Sequence, residues 1–132
     1  MTSGLLSKQI SELKQRLNER SQTLLEEIRQ ELLKLDDEQY IQIAGKVHDP
    51  EEESIADLLA DVNLAIIDLH INEIRDIEAA LLRIAGGTYG ICLDCDGEIG
   101  YERLQVYPIA KRCHNCQRLH EQRPDAERQP TL

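Results

Sequence analysis

The sequence predicts a mainly α-helical protein: a long antiparallel coiled-coil hairpin, then a small C-terminal four-cysteine zinc-finger module with a short helix. Three observations predict it. Apolar residues recur at three- and four-residue steps along two stretches free of internal Pro. A turn containing both Gly and Pro, Gly45-Lys46-Val47-His48-Asp49-Pro50, separates those stretches. The chain's 4 cysteines fall in two C-x2-C pairs near the C-terminus.

The first helical stretch runs from Leu5 to Ala44, with Leu6, Ile10, Leu13, Leu17, Leu24, Ile28, Leu32 and Leu35 on one face. The step through Arg20 and Ser21 breaks strict heptad spacing, as a stutter does. At the turn, Gly45 suits a helix C-terminus, and Asp49-Pro50 has the form of an N-cap followed by a first helical residue. Glu51, Glu52 and Glu53 then fall in a first turn, where the helix dipole favours negative charge, and Glu52 completes a capping box with Asp49.

The second stretch is predicted from Pro50 to Ala85. Ile55, Leu59, Val62, Ile66 and Leu69 form its stripe, which Ile67, Ile71, Ile74, Ile77, Leu81 and Ile84 widen toward the C-terminal end. Two such helices joined by a short turn bury their stripes against each other, giving an arm of about 50 Å at 1.5 Å per residue. The expected organisation is a hairpin over 1–85 with its tip at about 45–54. A zinc module over 86–123 follows, opened by Gly86-Gly87-Thr88-Tyr89-Gly90, and then a flexible polar tail over 124–132.

Composition narrows the function. With 15 Lys+Arg against 25 Asp+Glu the formal charge is −10, a poor match to a phosphate backbone and a better one to a cationic protein surface. There are 4 Tyr and no Phe or Trp, so platforms for stacking bases are scarce. No apolar run resembles a signal peptide or approaches the roughly 18 residues of a membrane span. A cytoplasmic location follows as the expectation, and in that reducing compartment paired cysteines point to metal before disulfides.

Cys92-Leu93-Asp94-Cys95 and Cys113-His114-Asn115-Cys116 are separated by 17 residues, inside the roughly 15–20 typical of two zinc knuckles. Four thiolates fill a tetrahedral shell and leave no position for water, so one structural Zn2+ is expected. Thiolates and zinc together add two negative charges, which Lys111, Arg112 and Arg118 are placed in sequence to offset. Gly97 supplies a turn, Glu98 to Leu104 a short strand or hairpin, and the second pair opens a helix through Leu119. His48, His70, His114 and His120 are expected to be exposed and to take no part. No residue set points to catalysis, so the protein is expected not to be an enzyme.

Tyr89-Gly90-Ile91-Cys92-x-x-Cys95, then Glu98-Ile99-Gly100, Arg103-Leu104, Pro108 and Cys113-x-x-Cys116, resembles the DksA/TraR family of bacterial RNA polymerase-binding zinc-finger proteins. The likeness covers roughly residues 45 to 122 at motif level. It implies a transcription regulator whose coiled-coil arm enters the polymerase secondary channel without binding DNA. The implied tip residues are Asp49, Glu51, Glu52, Glu53 and Ser54. The family's active members carry Asp-x-x-Asp-x-Ala there; this chain has Glu52 for the second Asp and Ser54 for the Ala. The family's basic positions for the alarmone ppGpp align near Glu73, Asp76, Tyr107 and Gln117, none cationic, which implies no ppGpp binding. The rival expectation is a zinc-stapled coiled coil that scaffolds some protein other than polymerase. A finger that binds nucleic acid through Lys111, Arg112 and Arg118 is opposed by the net charge.

Overall fold

The long helices follow the aliphatic spacing, and Asp37 and Ser54 start new short helices where that spacing is interrupted. The computed structural model describes residues 4–49 and 54–122. In order, the helices are α1 (Ser7–Leu33), α2 (Glu38–Ala44), α3 (Ile55–Leu58), α4 (Ala65–Gly86), α5 (Tyr101–Val106) and α6 (His114–Glu121). Sheet pairing among the described residues is confined to one antiparallel bridge, Ile91 with Glu98. Of the expected strand or hairpin over 98–104, Glu98 alone pairs, and Tyr101–Leu104 enter α5.

The fold class is the expected one, mainly helical with the cysteines gathered at the C-terminal end. The chain divides into two compact units, one made of its ends (up to Asn18 and from Asp76), the other of Glu19–Arg75.

In the Glu19–Arg75 unit α1 and α4 lie antiparallel. Arg20 Nη2 donates to Glu73 Oε1 at 3.0 Å, and His70 lies 3.2 Å from Glu27, so ascending positions on α1 meet descending ones on α4. Leu24, Ile28 and Leu32 from α1 and Ile67, Ile71 and Ile74 from α4 are buried.

Both long helices are shorter than expected. The first stops at Leu33, Asp36 takes a left-handed φ of 50°, and Asp37 caps α2 by accepting from the Gln39 N–H at 2.9 Å. The second is interrupted as well. Ser54, with φ −73° and ψ 159°, caps a separate α3 by accepting from the Asp57 N–H at 3.0 Å. The chain then turns through Ala60 and Asp61 before α4 starts. In each case a Ser or Asp hydroxyl or carboxylate takes a backbone N–H that helix periodicity alone does not register.

The break after Leu33 reverses the chain. His48 Nε2 lies 3.0 Å from Glu26 Oε2. Had α1 continued through α2, the two residues would stand about 30 Å apart at 1.5 Å per residue. Instead α2 returns along α1, and Ala44 and Val47 are buried where it does so.

The second break shifts the apolar phase. Ile55, Leu59 and Val62 are buried as expected, but Ile66 and Leu69, their continuation, are exposed, Leu69 by 65%. The neighbouring Ile67 and Ile71 take their place, because the interruption at Ala60–Leu64 advances the face by one residue. Leu6 and Leu35, at the ends of the first stripe, are also exposed.

In the other unit Leu13, Leu17, Ile77 and Ala80 are buried, together with Tyr89, Ile99, Leu104 and Ala110. Arg16 donates to the Gln105 carbonyl at 2.7 Å and Tyr101 to Glu12 at 3.2 Å, tying the start of α1 to α5. No helix of the described residues is long and apolar enough to cross a membrane.

Candidate metal centre

The first cysteine pair sits on a tight turn that follows α4. Gly87 ends α4 with φ 79°, a conformation that costs glycine little. The Cys92 N–H then donates to the Gly97 carbonyl at 2.7 Å and the Asp96 N–H to the Cys92 carbonyl at 3.0 Å. Asp96 itself takes φ 61°, so the left-handed position of the turn falls one residue before Gly97. The second pair opens α6, with Cys113 as its N-cap residue. A Leu93 N–H to Lys111 carbonyl bond of 2.9 Å joins the two pairs.

This scaffold brings the Sγ atoms of Cys92, Cys95, Cys113 and Cys116 within 4.8 Å of one another. A tetrahedron with Zn–S bonds of about 2.3 Å has edges of about 3.8 Å; Cys95 and Cys113 stand 3.9 Å apart. All four thiols are free of disulfide bonds. The donor set, its size and its closed geometry fit one structural zinc ion.

The electrostatics agree. Burial of Cys92 opposes its ionisation, but hydrogen bonds from the backbone at Cys113, Cys95 and Asp94 outweigh that and bring its thiol down to about 6. Sharing hydrogen bonds with Cys113 and Cys92 pushes Cys116 up to about 12. Protons alone thus hold such a cluster unevenly, whereas a dication lets all four sulfurs be thiolates. The Gly97 N–H also points at Cys95 Sγ, at 3.4 Å.

Of the cations expected to offset the cluster, Arg112 bonds Asp94 between the first two ligands at 2.8 Å. Arg103 donates to the Arg112 carbonyl at 3.1 Å and lies over the Tyr107 ring, a brace that the sequence reading missed. Tyr89 donates to the Pro108 carbonyl at 2.8 Å. His114 is exposed beside the ligands as expected, and His48 is exposed though paired with Glu26. His70 and His120 are half-buried, a departure from expectation, His70 because it reaches Glu27.

Of the expected tip residues, Asp49 is exposed and follows His48, and Ser54 is the α3 cap. Glu51, Glu52 and Glu53 lie outside the described residues. The Glu73 carboxylate is held below its ordinary range by its hydrogen bond with Arg20. Gln117 donates to Glu121 at 3.0 Å.

Known proteins locate this site. The family model described as the prokaryotic dksA/traR C4-type zinc finger matches residues 87–122. An uncharacterized protein YteA of Bacillus subtilis is 51% identical over 45 residues, 33% of this chain and 19% of the relative. An uncharacterized Aquifex aeolicus protein is 38% identical over 64 residues, 48% of this chain and 39% of its own. An 8.2 kDa protein of Escherichia phage P2 is 38% identical over 47 residues, 36% of this chain and 64% of its own. The matched stretches thus span less than two thirds of each relative. Among solved structures, transcription factor DksA2 from Pseudomonas aeruginosa aligns with a TM-score of 0.61 at 22% identity, over 93% of this chain and 88% of its own. Residues 87–122 therefore form a DksA/TraR C4-type zinc finger, and the chain that carries it has a DksA-like fold.

Proposed function

We propose that the chain is a non-enzymatic, DksA-like transcription regulator that acts directly on RNA polymerase through its secondary channel, without binding DNA. The observation that supports this most is the combination of a DksA/TraR-type finger with a fold similar to that of a transcription factor over nearly the whole chain. The formal charge of −10 favours a cationic protein channel over nucleic acid. The zinc is structural in this reading: it holds the turn before α5 and the start of α6, and supplies no reactive position. The segment Asp49, Glu51, Glu52, Glu53 and Ser54 is the proposed partner-binding segment. A cytoplasmic location goes with this partner.

Competition on purified core polymerase tests the proposal. The protein is expected to displace a labelled secondary-channel factor in a concentration-dependent way. No displacement at saturating protein would overturn the reading in favour of a zinc-stapled scaffold for another partner.

ppGpp is expected not to strengthen the effect on transcription. Glu73 is ionised and already paired with Arg20, so a polyanion placed there would meet a carboxylate and lose a guanidinium. Purified transcription with and without ppGpp checks this; potentiation beyond that of polymerase alone would contradict it.

A further inference from the structure

The Glu19–Arg75 unit ends in two turns at one level. From the Glu27–His70 contact, α1 runs six more residues to Leu33, and α4 runs five back to Ala65. The steps are about 9 Å and about 8 Å, so Lys34–Asp37 and Asp61–Leu64 fall at the same end of the helix pair. Asp49 does not lie there. Its neighbour His48 is anchored to Glu26, seven residues or about 10 Å of helix back from the end of α1. Arg29 and Gln30, one turn further along α1, donate to the same Glu26 carboxylate and orient it.

We infer that the two turns, Lys34–Asp37 and Asp61–Leu64, are the surface with which this unit leads into its partner, and that Asp49, beside the anchored His48, is set back from it. The inference rests on the polymerase reading and locates the contact within it. Leu35, 39% exposed, belongs to that leading surface, and Ile41, 44% exposed, lies on α2 beside the shaft.

Width is the consequence. Two packed helices measure roughly 20 Å by 10 Å in section, and α2 adds a third segment alongside them. α2 starts at Glu38, directly behind the leading turn, so an opening that admits this unit must pass all three segments side by side.

Two measurements on the full-length, zinc-loaded protein test this. Spin labels on p-acetylphenylalanine at Gln22 and Asp49 leave the zinc cysteines untouched. The folded-back chain gives a separation of about 20 Å or less, and a continuous helix gives more than about 30 Å. A long distance would overturn the inference while leaving the polymerase reading intact. On core polymerase, benzoylphenylalanine at Leu35 is expected to cross-link closer to the catalytic centre than the same group at Asp49. The reverse order would overturn the inference even with a short distance. A failed competition assay beside a short distance would overturn the polymerase reading, and the inference with it, yet leave α2 where it is.

Discussion

The finger and the Glu19–Arg75 unit solve the problem of a small core by different means. Within 87–122 the helices are short: α5 has 6 residues and α6 has 8 with none buried. Order there comes from turns that hand backbone N–H groups to fixed acceptors and from four convergent sulfurs. The Glu19–Arg75 unit has no such staple, and relies on aliphatic residues such as Leu24, Ile28, Leu32, Ile67 and Ile71. The first arrangement is specified by a few residues at fixed spacing; the second by the phase of many interchangeable ones. A ligand motif survives a local surprise, whereas a stripe is redirected by a single capped turn.

Metal removal is the strongest way to separate the two. Structural zinc in small fingers carries about 10–16 kcal/mol of apparent binding energy that is also folding energy. Cys113→Ser, or chelation, is expected to abolish amide protection over 89–121 while protection of Leu24–Leu32 persists. Metal analysis together with hydrogen exchange reads both. Simultaneous loss of protection would show that the two units fold as one.

The converse perturbation is Ile28→Ala. Ile28 is fully buried, and truncating such a residue costs about 2–5 kcal/mol. Urea unfolding should register that loss with zinc still bound at one per chain, and release of the metal would contradict the comparison.

The same contrast explains what was legible beforehand. Cysteine spacing alone located all four ligands, because chelation demands C-x2-C whatever surrounds it. The helical character and most of the stripe were legible from periodicity. The breaks were not, since Leu33-Lys34-Leu35 keeps helical composition up to Asp36. The usable signal was Asp36-Asp37-Glu38, an N-cap residue followed by an acid in the first turn. The apolar pattern runs on across it and hides the cap. Once that turn is missed, α2 is taken for an extension of α1, and the return of the chain to Glu26 through His48 goes unseen. The Ile66 and Leu69 misassignment has the same origin at Ala60–Leu64.

Caps should therefore matter measurably in the Glu19–Arg75 unit. Ser54→Ala removes the hydroxyl that accepts from Asp57 and is expected to cost about 1 kcal/mol. The paired change Glu52→Asp restores the family's acidic tip pattern without altering charge. Stability of the double variant should follow Ser54→Ala alone. If open-complex effects on polymerase then grow, the segment is a contact surface as well as a turn; if Ser54→Ala leaves the urea midpoint unchanged, the α3 cap contributes nothing.

The smallest expected effect comes from the Arg20–Glu73 pair. Arg20 holds Glu73 ionised below its ordinary range. A carboxyl depressed on folding contributes stability that is fully present above its unfolded value, about 4.3, and is lost as pH falls through the lower folded value. Both side chains are a third or more exposed, so solvent screening limits the pair to roughly 0–1 kcal/mol. Glu73→Gln should lower the urea midpoint slightly at pH 7, and the gap from the parent should shrink as the pH falls below about 4. A gap that stays constant down to pH 2 would mean that Glu73 contributes through packing, with its charge immaterial.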